Sequence, residues 1–116
     1  MTARTFKILM FLKRRPGMSV ADFRDYYENH HAKLCEKYST GVSRYMRRFL
    51  DPQPDPATGE CRELPFDVIT ELWFEDERIF RATVDYLATG PLPDEVIADE
   101  EKLFDRRKSR TATVAR

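Results

Sequence analysis

Residues 12–34, LKRRPGMSVADFRDYYENHHAKL, decide how this 116-residue chain folds. Lys13, Arg14 and Arg15 close an apolar run, FKILMFL, that has strand length. Pro16-Gly17 then marks a turn, and Ser19 fits a helix N-cap, with Asp22 where a capping box usually carries Glu or Gln. Val20, Phe23, Tyr27, Leu34 and Tyr38 recur at helical spacing. They predict an amphipathic helix over residues 20–37, with Gly41 just past its end. A strand, a tight turn and a capped helix form the first half of a βαβ unit.

Outward from this stretch the pattern repeats. VSRYMRRFL (42–50) is rich in aromatic and β-branched residues and predicts a second strand. Residues 51–65 hold Pro52, Pro54, Pro56, Gly59 and Pro65, which deny them regular structure. Such a loop is either a lid over a site or a plain surface excursion. FDVITELWF (66–74) is the clearest strand. Glu75-Asp76-Glu77 opens a helix whose dipole suits acidic residues, with Ile79, Phe80, Val84 and Leu87 on its apolar side. Gly90-Pro91 stops it. A second helical stretch is expected over 93–107, carrying Val96, Ile97, Leu103 and Phe104, and a closing strand over 111–114. The order predicts one α+β domain spanning 1–116, with a ferredoxin-like four-stranded antiparallel sheet and helices on one face. The other face is left bare, so a homodimer is expected.

Lys+Arg and Asp+Glu number 20 each, so no net field attracts nucleic acid or anionic lipid. The basic runs at Lys13 and Arg106 lie beside acidic segments and read as solvated faces. Cys35 and Cys61 make no CxxC pair and share no metal-ligand spacing with the histidines, which suits a reducing compartment. The apolar run at the N-terminus is too short for a signal sequence or a membrane span. A cytoplasmic protein is expected, without metal or cofactor, because no phosphate loop, dinucleotide fingerprint or zinc set is present.

His30 and His31 are the side chains that titrate near neutrality. At about 100° per residue, the apolar stripe of the helix falls between them. Periodicity leaves both as boundary residues and does not choose between them. On the third strand, alternation puts Asp67, Ile69, Glu71 and Trp73 on one face, and Val68, Thr70, Leu72 and Phe74 on the other. A carboxylate against a covered sheet is costly unless paired. Glu71 would be satisfied by a histidine, which it could orient for base catalysis, or by Arg44 or Arg48 on the next strand. Tyr27, Tyr45, Phe11, Phe49 and Trp73 could wall a pocket or simply fill the core.

These residues carry a resemblance. The block 12–34 resembles the N-terminal signature of the EthD family: basic strand end, Pro-Gly turn, Ser-capped helix, aromatic pair and a His-Ala-x-Leu close. FDVITELWFED is similar to the family's third strand, and ADEEKLFDRRKSR to its late Asp-Glu…Phe-Asp helix. Together they span most of the chain outside the Pro-rich loop. The resemblance implies a dimeric α/β-barrel fold. It places the family's histidine on His31 and the neighbouring aromatic on Tyr27, where Trp is common in relatives. Asp99 and Glu100 match the family's acidic pair, in a catalytic role or in holding their helix to the sheet.

The family accompanies ether and aromatic degradation, and fungal relatives act in aromatic polyketide pathways. The resemblance therefore implies a small, hydrophobic, often phenolic substrate and acid–base chemistry. The expectation is a cofactor-independent lyase, decarboxylase or cyclase. His31 would be base or acid, Glu71 or Asp67 would orient it or move a second proton, Tyr27 or Tyr45 would donate to a substrate oxygen, and Phe11, Phe49, Trp73 and His30 would stand around the substrate. The rivals are an oxidoreductase or monooxygenase of the same fold, working with or without haem, and a non-catalytic binding protein.

Overall fold

The computed structural model describes residues 4–115. Four strands, β1 (Phe6–Leu12), β2 (Arg44–Phe49), β3 (Val68–Phe74) and β4 (Arg110–Thr113), form one antiparallel sheet in the order β2-β3-β1-β4. β1 matches the expected strand at both ends. It is central because its apolar residues can be covered by both neighbours: Ile8 pairs with Leu72 of β3 and with Thr113 of β4.

The first helix is not uniform. α1 (Val20–Tyr26) is capped by Ser19, whose hydroxyl accepts from the Asp22 amide at 3.0 Å. A π turn (Tyr27–His31) follows, in which the Ala32 amide reaches back to the Tyr27 carbonyl, five residues away. α2 (Ala32–Glu36) completes the helix. At Gly41 the chain reverses with φ +83°, and an added Cβ would lie 2.7 Å from Cγ2 of Ile79, so only glycine fits. α3 (Glu77–Thr89) starts at Asp76, whose carboxylate accepts from the amides of Arg78 and Ile79.

α4 (Asp94–Glu101) is shorter than the expected helix over 93–107. The backbone beyond it has other partners: the Leu103 carbonyl accepts from the Arg15 amide at 2.9 Å and the Asp105 amide donates to Lys13 at 2.8 Å. Leu103 and Phe104 are still buried, through this edge pairing rather than a helical face.

All helices lie on one face of the sheet. Phe6, Ile8, Met10 and Leu12 of β1 and Val68, Thr70, Leu72 and Phe74 of β3 point toward them. Phe23, Tyr27, Ala32, Val68, Leu103 and Phe104 form one core cluster, and Phe6, Ile8 and Phe74, with Phe80, Val84 and Leu87 against them, form a second. The opposite face carries Leu9, Phe11, Ile69, Glu71 and Trp73, and no helix among the described residues covers it.

This choice of face corrects several expectations. Glu71 is across the sheet from His31, where it accepts from Arg48 and, at 2.9 Å, from the Trp73 indole. Of its two possible pairings, the cross-strand arginine is the one that forms. Asp67 is likewise remote: it accepts from the Arg14 amide at 2.8 Å and lies 3.5 Å from the Lys13 ammonium. Phe11 packs on Phe66, and Trp73 lies under the Lys7 ammonium, 4.1 Å from the ring centroid. Glu71 and Trp73 share one face of β3, and the register Phe11↔Ile69 puts Phe11 on it too, opposite the Thr70 and Leu72 face that the first helix covers.

Candidate active site

A cavity of about 300 Å³ opens between the helices and the sheet, with walls drawn from both core clusters. Met10, Leu72, Leu87 and Phe104 supply apolar walls, and Tyr27, His31, Cys35, Tyr45, Thr70 and Glu100 the polar ones. This size is at the small end of ligand pockets.

His31 is 3% exposed and Asp99 4% exposed, so each needs a partner. They have each other: His31 Nδ1 lies 2.7 Å from Asp99 Oδ2. The π turn aims the imidazole at α4, and α4 turns Asp99 inward on the same face as Val96. Asp99 also accepts from the Tyr26 hydroxyl and approaches His30 Nδ1 at 3.3 Å. Burial works against its ionisation, but the Tyr26 hydroxyl and the two imidazoles outweigh burial and hold its carboxyl below the usual range. An ionised carboxylate only accepts, so the proton of neutral His31 sits on Nδ1. Its Nε2 is then a bare acceptor on the cavity side, 3.4 Å from the Cys35 thiol.

Cys35 is not an activated nucleophile. Burial pushes its thiol up to about 11. On the sheet side, Tyr27 sits in a short chain of hydroxyls: 2.5 Å to Thr70 Oγ1 and 3.2 Å to the Tyr45 hydroxyl. Burial raises Tyr27 to about 12 and raises Tyr45 as well, so both stay protonated donors. Burial also lifts the Glu100 carboxyl, against the pull of Arg106 at 2.8 Å. The arrangement offers one oriented base, two phenol donors and the Arg106-held Glu100 carboxylate in a mostly apolar room.

Of the expected residues, His31, Tyr27 and Tyr45 come together here. Phe49 is one layer behind, its ring edge-on to Tyr27 at 5.8 Å. His30 points outward, 59% exposed in its side chain and stacked on Tyr26 at 4.7 Å. Residues 51–65 do not line the cavity. Glu63 and Leu64 instead bind the Lys13 ammonium at 2.9 and 3.0 Å, at another edge of the sheet. Thr70, Cys35 and the orienting role of Asp99 are not among the residues the sequence predicts for the site. Asp99 had a signal, as an acid three residues after Val96 and four before Leu103, at the spacing of an apolar stripe. Among the described residues no cluster of three metal-ligating side chains occurs, and no helix is long and apolar enough to cross a membrane.

Comparison with known proteins agrees with this frame. An EthD-family protein of Bacillus halodurans superimposes with a TM-score of 0.58 at 18% identity, over 96% of this chain and 98% of its own. A hypothetical protein of Arabidopsis thaliana gives 0.55 at 13% identity, over 96% and 87%. A dimeric ferredoxin-like protein of unknown function from Thermobifida fusca gives 0.51 at 12% identity, over 97% and 91%. These likenesses establish the ferredoxin-like fold. No curated protein sequence matches. Residues 15–107 match the EthD domain, a stretch that includes both His31 and Asp99. The chain is therefore a member of the EthD domain family.

Proposed function

We propose that this protein is a cofactor-independent enzyme that acts on a small aromatic or polyketide-like compound by acid–base chemistry, as a lyase or cyclase. The observation that carries the reading is the buried His31–Asp99 pair, with Nε2 turned toward a mostly apolar cavity. Nε2 takes a proton from an acidic C–H or O–H of the substrate. Asp99 holds the ring in the required tautomer and stabilises the imidazolium that forms. Tyr45 and Tyr27, kept protonated by burial, donate to the oxygen on which negative charge develops. His31 then returns the proton to the product or the leaving group. This assignment replaces the His31–Glu71 pairing.

The test is turnover of a panel of hydroxyaryl ketones and aryl polyketides, followed by mass spectrometry and an oxygen electrode, after dialysis against a chelator. His31→Asn should lower kcat by about 10²–10⁴-fold. Undiminished turnover in that variant would remove His31 from the mechanism. Oxygen consumption matching turnover would favour the oxygenase reading, and ligand recovered unchanged would favour a binding protein.

The same proposal includes a homodimer through the bare sheet face, where Leu9, Phe11, Ile69 and Met46 lie among charged pairs. Ile69→Glu would put an unpaired charge at its centre and should give monomers in sedimentation equilibrium. Wild-type protein that sediments as a monomer would refute the dimer.

A further inference from the structure

We propose that the cavity selects an uncharged, hydroxyl-bearing aromatic and rejects the matching carboxylate. The inference rests on this cavity being the working site, and it narrows the substrate class.

Charge comes first. Among the described residues, no lysine or arginine lines the cavity. The guanidinium groups of Arg47 and Arg106 touch lining residues from behind, and both are already committed. Arg47 grips Glu28 through two bonds of 2.8 and 3.0 Å and gives a third to the Tyr45 carbonyl at 2.9 Å. Arg106 holds Glu100 at 2.8 Å. The charges built into the walls are carboxylic: Glu100 in the lining and Asp99 directly behind His31. Should His31 be protonated, Asp99 neutralises it at once. An anion entering here would lose its water and meet no free cation, which is the costly case for buried charge.

Hydrogen bonding points the same way. The inward nitrogen of His31 accepts, so it asks for a donor on the ligand. A ring or enol hydroxyl supplies one, displacing the weak contact from Cys35 at 3.4 Å; a carboxylate supplies none. The hydroxyls of Tyr27, Tyr45 and Thr70 can serve a neutral carbonyl on the far side. Met10, Leu72, Leu87 and Phe104 leave the rest of the room to an apolar ring. Loss of CO₂ from a bound aromatic acid is the branch this cavity disfavours, and enol or phenol chemistry is the branch it favours.

The probes are 2-naphthol and 2-naphthoate, equal in ring size and differing in charge at pH 7. Calorimetry should find the naphthol bound at least about tenfold more tightly. The methyl resonances of Met10 and Leu72 should shift on its addition and so locate it. Glu100→Gln should narrow the ratio by improving naphthoate binding. Naphthoate binding as tightly as naphthol, or naphthol leaving both methyls unmoved, would overturn the inference. This outcome is separable from the catalytic one. A naphthol preference with full turnover in His31→Asn would sink the acid–base reading and leave the selectivity standing. The reverse pattern would do the opposite.

Discussion

Asp99→Asn is the most informative single change, because one buried carboxylate accepts two hydrogen bonds and lies beside a second imidazole. In the wild type, the Tyr26 hydroxyl and the two imidazole nitrogens converge on Asp99, which is 4% exposed. Asparagine keeps the shape but presents one oxygen and one NH₂ group. At least one donor then faces another donor, and the remaining bonds lose their charge. Hydrogen bonds to charged groups are worth about 1.5–3 kcal/mol, so a loss of about 2 kcal/mol is expected at pH 7. For a domain of this size that is about 8 °C in Tm. The pH dependence supplies the sign. The folded carboxyl is held below its unfolded value, so its stabilisation is complete above the ordinary carboxylate range. It is lost as pH falls through the folded value, where the wild type too becomes neutral at this position. Urea unfolding of both proteins should therefore show a gap at pH 7 that closes in strong acid. A gap under about 0.5 kcal/mol at pH 7, or one that persists unchanged in acid, would refute the claim that an ionised Asp99 organises this corner. Turnover adds a second reading: if the NH₂ faces His31, the ring flips its proton to Nε2 and the base is lost with the fold intact.

Other expectations are simpler. Phe23→Ala should cost about 3–5 kcal/mol in denaturant unfolding, since the ring is fully buried and edge-on to Tyr27, Phe49 and Phe104; a cost below 1 kcal/mol would mean that the site collapses around the gap. Thiol labelling at pH 8 should be biphasic: exposed Cys61 reacts first and Cys35, raised to about 11 by burial, follows about two orders of magnitude later. A single fast phase for both thiols would contradict the enclosed cavity. Ser19→Ala should lower stability by about 1 kcal/mol, because the Asp22 amide loses its only capping acceptor in the first turn; an unchanged midpoint would deny the cap that role.

The strands and helices were legible because each depends on neighbours along the chain. FKILMFL, the Ser19 cap and the Asp76 start all act within a few residues, and the structure keeps them. The sidedness of the sheet was not legible. Alternation on β3 sorted Glu71 and Trp73 from Thr70 and Leu72, yet it could not say which set the helices would cover. That depends on how Phe23 and Phe80, distant in sequence, pack onto the strands. The family pattern points to His31, whereas its partner lies 68 residues away on α4. The pairing is set by tertiary packing, and the only local trace of it was an acid in an apolar stripe.

The π turn of the first helix has a consequence at the level of the gene. Such a turn is one surplus residue that a helix has absorbed without unwinding. Here that residue lets two consecutive histidines reach the same carboxylate, one from the cavity side and one from solvent. The smallest change able to dismantle the arrangement is the loss of a single codon between Tyr27 and His31. All four strands, Asp99 and both core clusters would be spelled as before, and the chain would remain a good ferredoxin-like domain with its one oriented base out of register.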